Sequence, residues 1–177
     1  MPDYYNTGQR TLQDQFDTRR MADRMESTII QPVISPMDAE FIEAQNMFFL
    51  ATVDDKGQAN CSYKGGHKGL VKVVDETTLA FPIYDGNGMF TSVGGVLVNG
   101  QVGLLFVDFD AQARVRVNGV ASVTQDDALL AHWPEAQLVV RVHVRETFPN
   151  CPRYIHKMTL VEESRFCLLY TSPSPRD

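Results

Sequence analysis

The stretch that most limits what this chain can become is Val102 to Phe109, VGLLFVDF, the most apolar strand-like run in the sequence. Being apolar at successive positions, it belongs in the middle of a sheet, buried on both faces. Asp110-Ala111-Gln112 turns it into Ala113 to Val123, where Val115, Val117 and Val120 are expected inward and Arg114, Arg116 and Asn118 outward. Leu138 to Val144 carries Val140, Val142 and Val144 on one face and Arg141, His143 and Arg145 on the other. Upstream, Met47 to Val53 and Gln58 to Lys64 pair about the turn Asp54-Asp55-Lys56-Gly57, and Leu70 to Val74 and Thr78 to Phe81 pair about Asp75-Glu76-Thr77. Six or more strands with few helices between them are joined by hairpins, which predicts an antiparallel barrel.

Helices are expected around this sheet. Leu12, Phe16, Met21, Met25 and Ile29 recur close to every fourth position, predicting one helix over 7–29 with a dense polar face. Its thin apolar stripe suits packing outside a core or against a second subunit. After a linker with Pro32, Ser35-Pro36-Met37-Asp38 opens a second helix, with Ser35 as N-cap, Pro36 at the first position and Asp38 in the first turn. Met89 to Val98 predicts a third despite Gly94 and Gly95, each costing roughly 1 kcal/mol against alanine. Asp126 to Trp133 predicts a short fourth, ended by Pro134.

Composition narrows the function. A net charge of −6 argues against nucleic acid, whose phosphates need a basic face. No apolar run spans a bilayer and MPDYYNTGQR lacks a signal peptide's apolar core, so a cytoplasmic protein is expected. Cys61, Cys151 and Cys167 have no paired spacing, and His67, His132, His143 and His156 are scattered, so no metal site is expected. Two stretches suit an anion. Ser62-Tyr63-Lys64 precedes Gly65 and Gly66, whose backbone N–H groups are open to close approach, and Asn87, Thr91 and Ser92 fall at the start of the third helix, where unpaired N–H groups carry partial positive charge. Both also read as ordinary structure, a solvated loop and a helix cap. Pro149 and Pro152 bracket Cys151 ahead of Arg153, Tyr154 and His156, which reads equally as a pocket wall or as a rigid loop.

In order, FFLATVDDKGQANCSYKGG, TLAFPIYDGNGMFTSVGGVLVNGQVGLLFVDF, RVRVNGVASV and FPNCPRYIH resemble the pyridoxamine-phosphate-oxidase-like, flavin-binding split-barrel superfamily, over roughly residues 40 to 160. The resemblance implies a mostly β, six-stranded antiparallel split β-barrel with flanking N-terminal helices, and a homodimer holding FMN in a cleft between subunits. It places Ser62, Tyr63 and Lys64 at the flavin ring edge and phosphate, Phe81, Thr91 and Ser92 at the phosphate, and Arg114 near the ring. The oxidases carry an Arg-Lys pair where this chain has Thr91 and Ser92. That leaves Lys64 as the cation and points to weaker FMN binding or another cofactor, a deazaflavin or a haem with His67 or His156 as axial ligand. The oxidase's late Trp and Arg are not found, so pyridoxal-phosphate synthesis is not supported.

The function expected is thus an FMN-dependent oxidoreductase of unread small-molecule substrate, with Arg153 and Tyr154 holding that substrate over the ring and no catalytic acid or base assigned. A flavin-binding storage or sensor protein without turnover is the alternative. Three parts are expected: a helical arm and linker over 1–34, the barrel domain over 35–166, and a segment 167–177 whose sequence resembles the translation of a sequencing-library adapter. That segment is expected to be read-through, with the native chain continuing differently past Phe166.

Overall fold

The computed structural model describes residues 4–164 and residue 166; the adapter-like segment lies outside them. The described residues divide into two compact units, one ending at Gln31 and the other beginning at Pro32.

In the first unit the periodic stretch forms two helices rather than one: α1 (Thr7–Gln15) and α2 (Arg19–Thr28). Asn6 and Gln9 close a reciprocal capping box on α1. The break falls at Asp17, whose φ of 54° lies in the left-handed region that Asp tolerates better than most residues. Arg10 ties the helices together, reaching Asp23 at 2.6 Å and Glu26 at 3.3 Å. The apolar stripe is exposed: Phe16 is 69% and Met21 58% accessible.

The second unit opens with α3 (Pro36–Glu43), capped as its sequence predicts: Ser35 Oγ accepts from the Asp38 N–H at 3.1 Å. Seven strands follow: β1 (Met47–Val53), β2 (Ala59–Gly65), β3 (Lys72–Asp75), β4 (Thr78–Ile83), β5 (Gln101–Asp108), β6 (Ala113–Thr124) and β7 (Leu138–Pro149). Every pairing is antiparallel, in the order β2-β1-β5-β6-β7-β4-β3. That is one strand more than the six implied, in the same mostly β, split-barrel architecture.

Curling of the sheet follows from its own contacts. β1 and β4 stand four strand spacings apart, about 19 Å in a flat sheet. Yet the rings of Phe48 on β1 and Phe81 on β4 lie 5.0 Å apart, edge to face, and Phe106 on β5 lies 5.3 Å from Phe48. These rings, with Leu50, Leu79, Leu104, Val117, Val140 and Val142, fill a fully buried core.

Two details of β6 and β7 depart from the pattern expected of them. Val120 points outward, 46% exposed, while Gly119 and Ala121 continue the buried series of Val115 and Val117. A bulge explains the neighbouring strand: Asn118 pairs with Glu146 but Gly119 pairs with Val144, so Arg145 is the extra residue. Gly119 is required there, because a Cβ would sit 2.2 Å from the His143 carbonyl oxygen.

Helix α4 (Thr91–Val98) lies against β1. Gly95 lets it approach: a Cβ would stand 3.3 Å from Thr52 Oγ1 and from the Val53 carbonyl oxygen. Gly94 faces open space. The helix begins two residues later than the sequence predicts, after Phe90 in the left-handed region at φ 50°. Between β6 and β7 the predicted short helix is a 3-10 turn, Ala128–His132, capped by Asp127. Arg141 grips Asp127 with two hydrogen bonds, at 2.6 and 2.9 Å, and Trp133 packs with Val139 and Ala80 on the far side of the sheet. Among the described residues no helix is long and apolar enough to cross a membrane.

Candidate functional site

Alternation along β2 sends Asn60, Ser62 and Lys64 to one side and Cys61 and Tyr63 to the other. The first three face the start of α4 and the loop that precedes it. Together they line a cavity of about 370 Å³ with Ile83, Tyr84, Gly86, Asn87, Gly88, Met89, Phe90, Thr91, Ser92 and Val93. Of the residues singled out in the sequence, the fold therefore gathers Ser62, Lys64, Asn87, Thr91 and Ser92 in one place. They come from segments almost thirty positions apart.

Ser92 is the hub. It is buried, its Oγ lies 2.9 Å from Ser62 Oγ, and it accepts from Asn60 Nδ2 at 3.3 Å. Asn60 also donates to Thr52 Oγ1 at 3.4 Å, so the cavity's polar floor is anchored to β1. Above that floor stands Lys64. It is half-buried, burial pulls its pKa below the usual lysine value, and no carboxylate among the described residues pairs with it. No side chain caps α4, which leaves first-turn N–H groups directed at the same space. A half-buried cation without a counter-ion, beside hydroxyls and a helix N-terminus, forms a site for an anion with several acceptor oxygens.

Other residues are placed differently. Tyr63 is 62% exposed on the opposite face of β2, its ring against Phe49, so its side chain does not reach the cavity. Phe81 is wholly buried in the core, because β4 runs on to Ile83 and the strand end lies two residues beyond it. The glycine pair is also accounted for structurally. Gly66 N–H donates to the Asn46 carbonyl at 2.8 Å, and a Cβ on Gly65 would strike the Tyr63 ring at 2.6 Å. The glycines that line the cavity are Gly86 and Gly88 instead. Asn87 lies in that loop rather than in the helix, where its Oδ1 accepts from the Met89 N–H at 3.1 Å.

Arg114 and Arg153 line a second, larger cavity of about 760 Å³, between α3, the β5–β6 turn and the segment after β7. Arg114 Nη2 donates to the Cys151 carbonyl at 2.9 Å. Tyr154 is 95% exposed and outside both cavities. So are His67, whose Nδ1 lies 3.1 Å from Glu163 Oε2, and His156. Asn60 was missed in the sequence, although its parity with Ser62 and Lys64 was the available signal. Phe90 and Met89 carried none, since the left-handed turn that brings them to the cavity is invisible in residue type.

Comparison with known proteins agrees with this architecture. HupZ from Group A Streptococcus superposes with a TM-score of 0.54 at 21% identity, covering 71% of this chain and 99% of that one. A putative pyridoxamine 5'-phosphate oxidase from Lactobacillus delbrueckii gives 0.53 at 23%, covering 67% and 95%. At these identities the likeness is one of fold. No curated protein matches the chain in sequence. A sequence model described as pyridoxamine 5'-phosphate oxidase matches residues 34–154, more than half of the chain and every strand of the sheet. With its curled antiparallel sheet, the chain belongs to the pyridoxamine 5'-phosphate oxidase family.

Proposed function

We propose that this protein is a cytoplasmic, homodimeric FMN-dependent oxidoreductase whose smaller cavity holds the cofactor's phosphate. The observation that carries the reading is Lys64: a half-buried ammonium with no carboxylate partner among the described residues, next to Ser62, Ser92 and the uncapped end of α4. A phosphate dianion there relieves the cost of keeping that charge out of water. Ser62, Thr91 and Asn87 add neutral hydrogen-bond partners, while Ser92, fixed by Asn60, orients Ser62. When bound, the flavin supplies the redox chemistry, and the protein's part is to bind, orient and shield it. Within one chain Arg114 lines the other cavity, so any contact between it and a ring seated here needs the second subunit.

The outer sheet face supports a dimer. Tyr63, Phe49, Leu105, Arg116 and Phe148 form one continuous cross-strand row from β2 to β7, with Tyr63 exposed at its end. Phe49 and Leu105 are partly exposed on this face while Phe148 is covered, so the row offers a second subunit a short apolar strip beside Arg116.

Titration of FMN and riboflavin by calorimetry tests the phosphate site, since the two share a ring and differ in the phosphate. Lys64→Met should weaken FMN roughly ten- to a hundred-fold, the worth of a charge-assisted hydrogen bond, and leave riboflavin nearly unchanged. Equal weakening of both ligands would remove Lys64 from the phosphate and sink the assignment. The absorbance spectrum of the purified protein separates flavin from deazaflavin and haem. Anaerobic reduction by NADH or NADPH separates an enzyme from a flavin-binding storage protein.

A further inference from the structure

At the inner end of the Ser62–Ser92 pair stands Asn60, an amide that reaches the cavity wall from the same side of β2. We propose that Asn60 is a positioning residue: through the hydrogen-bond chain Asn60–Ser92–Ser62 it makes the cavity selective for a tetrahedral oxyanion that carries no proton. A phosphate monoester dianion is such a group, and sulfate is its mimic. This inference rests on the assignment of the smaller cavity to a phosphate.

Burial fixes the direction of the chain. Asn60 Nδ2 has two protons and accepts nothing, and it donates to Thr52 Oγ1 at 3.4 Å and to Ser92 Oγ at 3.3 Å. Ser92 is 7% exposed, and the other partner of its hydroxyl among the described residues is Ser62 Oγ at 2.9 Å. Were the Ser92 proton turned anywhere else, a buried O–H would have no acceptor, which proteins seldom tolerate. Ser92 therefore donates to Ser62, and the Ser62 proton is left for the cavity. The neighbouring groups agree in sign. Lys64 offers an ammonium, which only donates. Asn87 Oδ1 is engaged by the Met89 N–H, which leaves Asn87 its Nδ2 donors. The first turn of α4 adds N–H groups without a side-chain cap, and no carboxylate lines the space. A wall of donors satisfies an oxyanion whose oxygens all accept. A protonated oxyanion brings a donor of its own, which meets the Ser62 proton instead of an acceptor.

Calorimetric titration of the full chain with methyl phosphate and with sulfate tests this. A phosphate monoester loses its second proton at about pH 6, so binding of the dianion alone should weaken methyl phosphate about tenfold from about pH 7 to about pH 5. Sulfate carries no proton over that range, so its profile reports any titration of the protein itself, whose titratable side chains at the cavity are Lys64 and Tyr84. Lys64 favours a dianion whichever way Ser62 is turned, so the variants decide the matter. Asn60→Leu removes both donors without adding charge and should flatten the methyl phosphate profile to about threefold or less. Ser92→Ala breaks the chain at its middle, takes no cap from α4, and should flatten the profile likewise if Asn60→Leu disturbs β2. Variants that keep the parent's profile would overturn the proposal. A parent profile no steeper for methyl phosphate than for sulfate would do the same, because the amide would then face Ser92 with its oxygen and Ser62 would accept. So would absence of sulfate binding in a protein that still prefers FMN to riboflavin. The expected profiles in a protein indifferent to the FMN phosphate would end the cofactor assignment and leave this inference standing.

Discussion

Three glycines that look alike in the sequence should respond to alanine in three different ways. At Gly119 a Cβ would lie 2.2 Å from the His143 carbonyl oxygen and 3.0 Å from both the His143 carbonyl carbon and Val142 Cγ1. Those first two atoms are backbone, so a side chain cannot swing aside, and β7 would have to retreat by about 0.8 Å to reach the shortest contact that proteins tolerate. Overpacking of this kind costs roughly 1–3 kcal/mol, and weakening a ladder hydrogen bond adds about 0.5–1.5. Reduced freedom of the unfolded chain returns about 0.4–1 kcal/mol. Gly119→Ala should therefore destabilise by about 2–3 kcal/mol, a fall in Tm of roughly 5–15 °C for a domain of this size. Gly94, in a helix with nothing within 4 Å of a new Cβ, should gain about 0.5–1 kcal/mol as alanine. Gly95→Ala should fall between them, because its contacts are tight at 3.3 Å but not impossible. Urea titrations of the three variants, read at constant m, decide the matter. A Gly119→Ala protein within about 0.5 kcal/mol of the parent would refute the reasoning, since overpacking would then cost too little to see.

Other consequences can be checked with equal directness. The Arg141 hydrogen bonds hold the Asp127 carboxyl below its ordinary pKa. The stability this adds is present above the unfolded value, near about 3.9, and is lost as pH falls through the lower folded value. Asp127→Asn should cost roughly 1.5–3 kcal/mol at pH 7, and its Tm deficit should shrink once the pH drops below about 4; a deficit unchanged across that range would rule out the ionic contribution. For the outer face, sedimentation should show a homodimer that Leu105→Glu dissociates, with circular dichroism unchanged. A monomeric parent protein would defeat the dimer.

The β architecture was legible because strand pattern and turn chemistry agree locally. Val102 to Phe109 reads as a central strand from its composition alone, and Ser35-Pro36 announces α3. What was not legible depends on backbone events that residue type does not encode. Asp17 in a left-handed turn splits one periodic helix into two, and Phe90 in the same region delays α4. Val120 is a different case: unbroken alternation from Val115 and Val117 already puts it outward, and expecting it inward miscounts its phase. In the site, polar residues of β2 and α4 could be named, but which of them meet follows from side-chain parity and from the true end of β4. Lys64 and Tyr63 are neighbours in sequence and lie on opposite faces. Reading the run without that alternation groups Tyr63 with Lys64 and leaves out Asn60, which the fold places beside Ser62 and Lys64 in the cavity wall.

The extra residue on β7 acts as a phase correction for everything downstream of it. Val140, Val142 and Val144 face the core, and uninterrupted alternation would send Glu146 in after them. With Arg145 absorbed, Thr147 takes the inward place opposite Val117, and Glu146 rides beside Asn118, bonded at 3.0 Å and held by Arg145. Phe148 then falls opposite Arg116, with the guanidinium 5.7 Å from its ring, and Asn150 reaches the Arg114 carbonyl. Pairing Arg145 as an ordinary ladder residue would therefore do more than straighten a strand. It would turn a carboxylate into the apolar interior and rotate the Pro149–Arg153 wall away from its cavity, though no residue of that wall had changed.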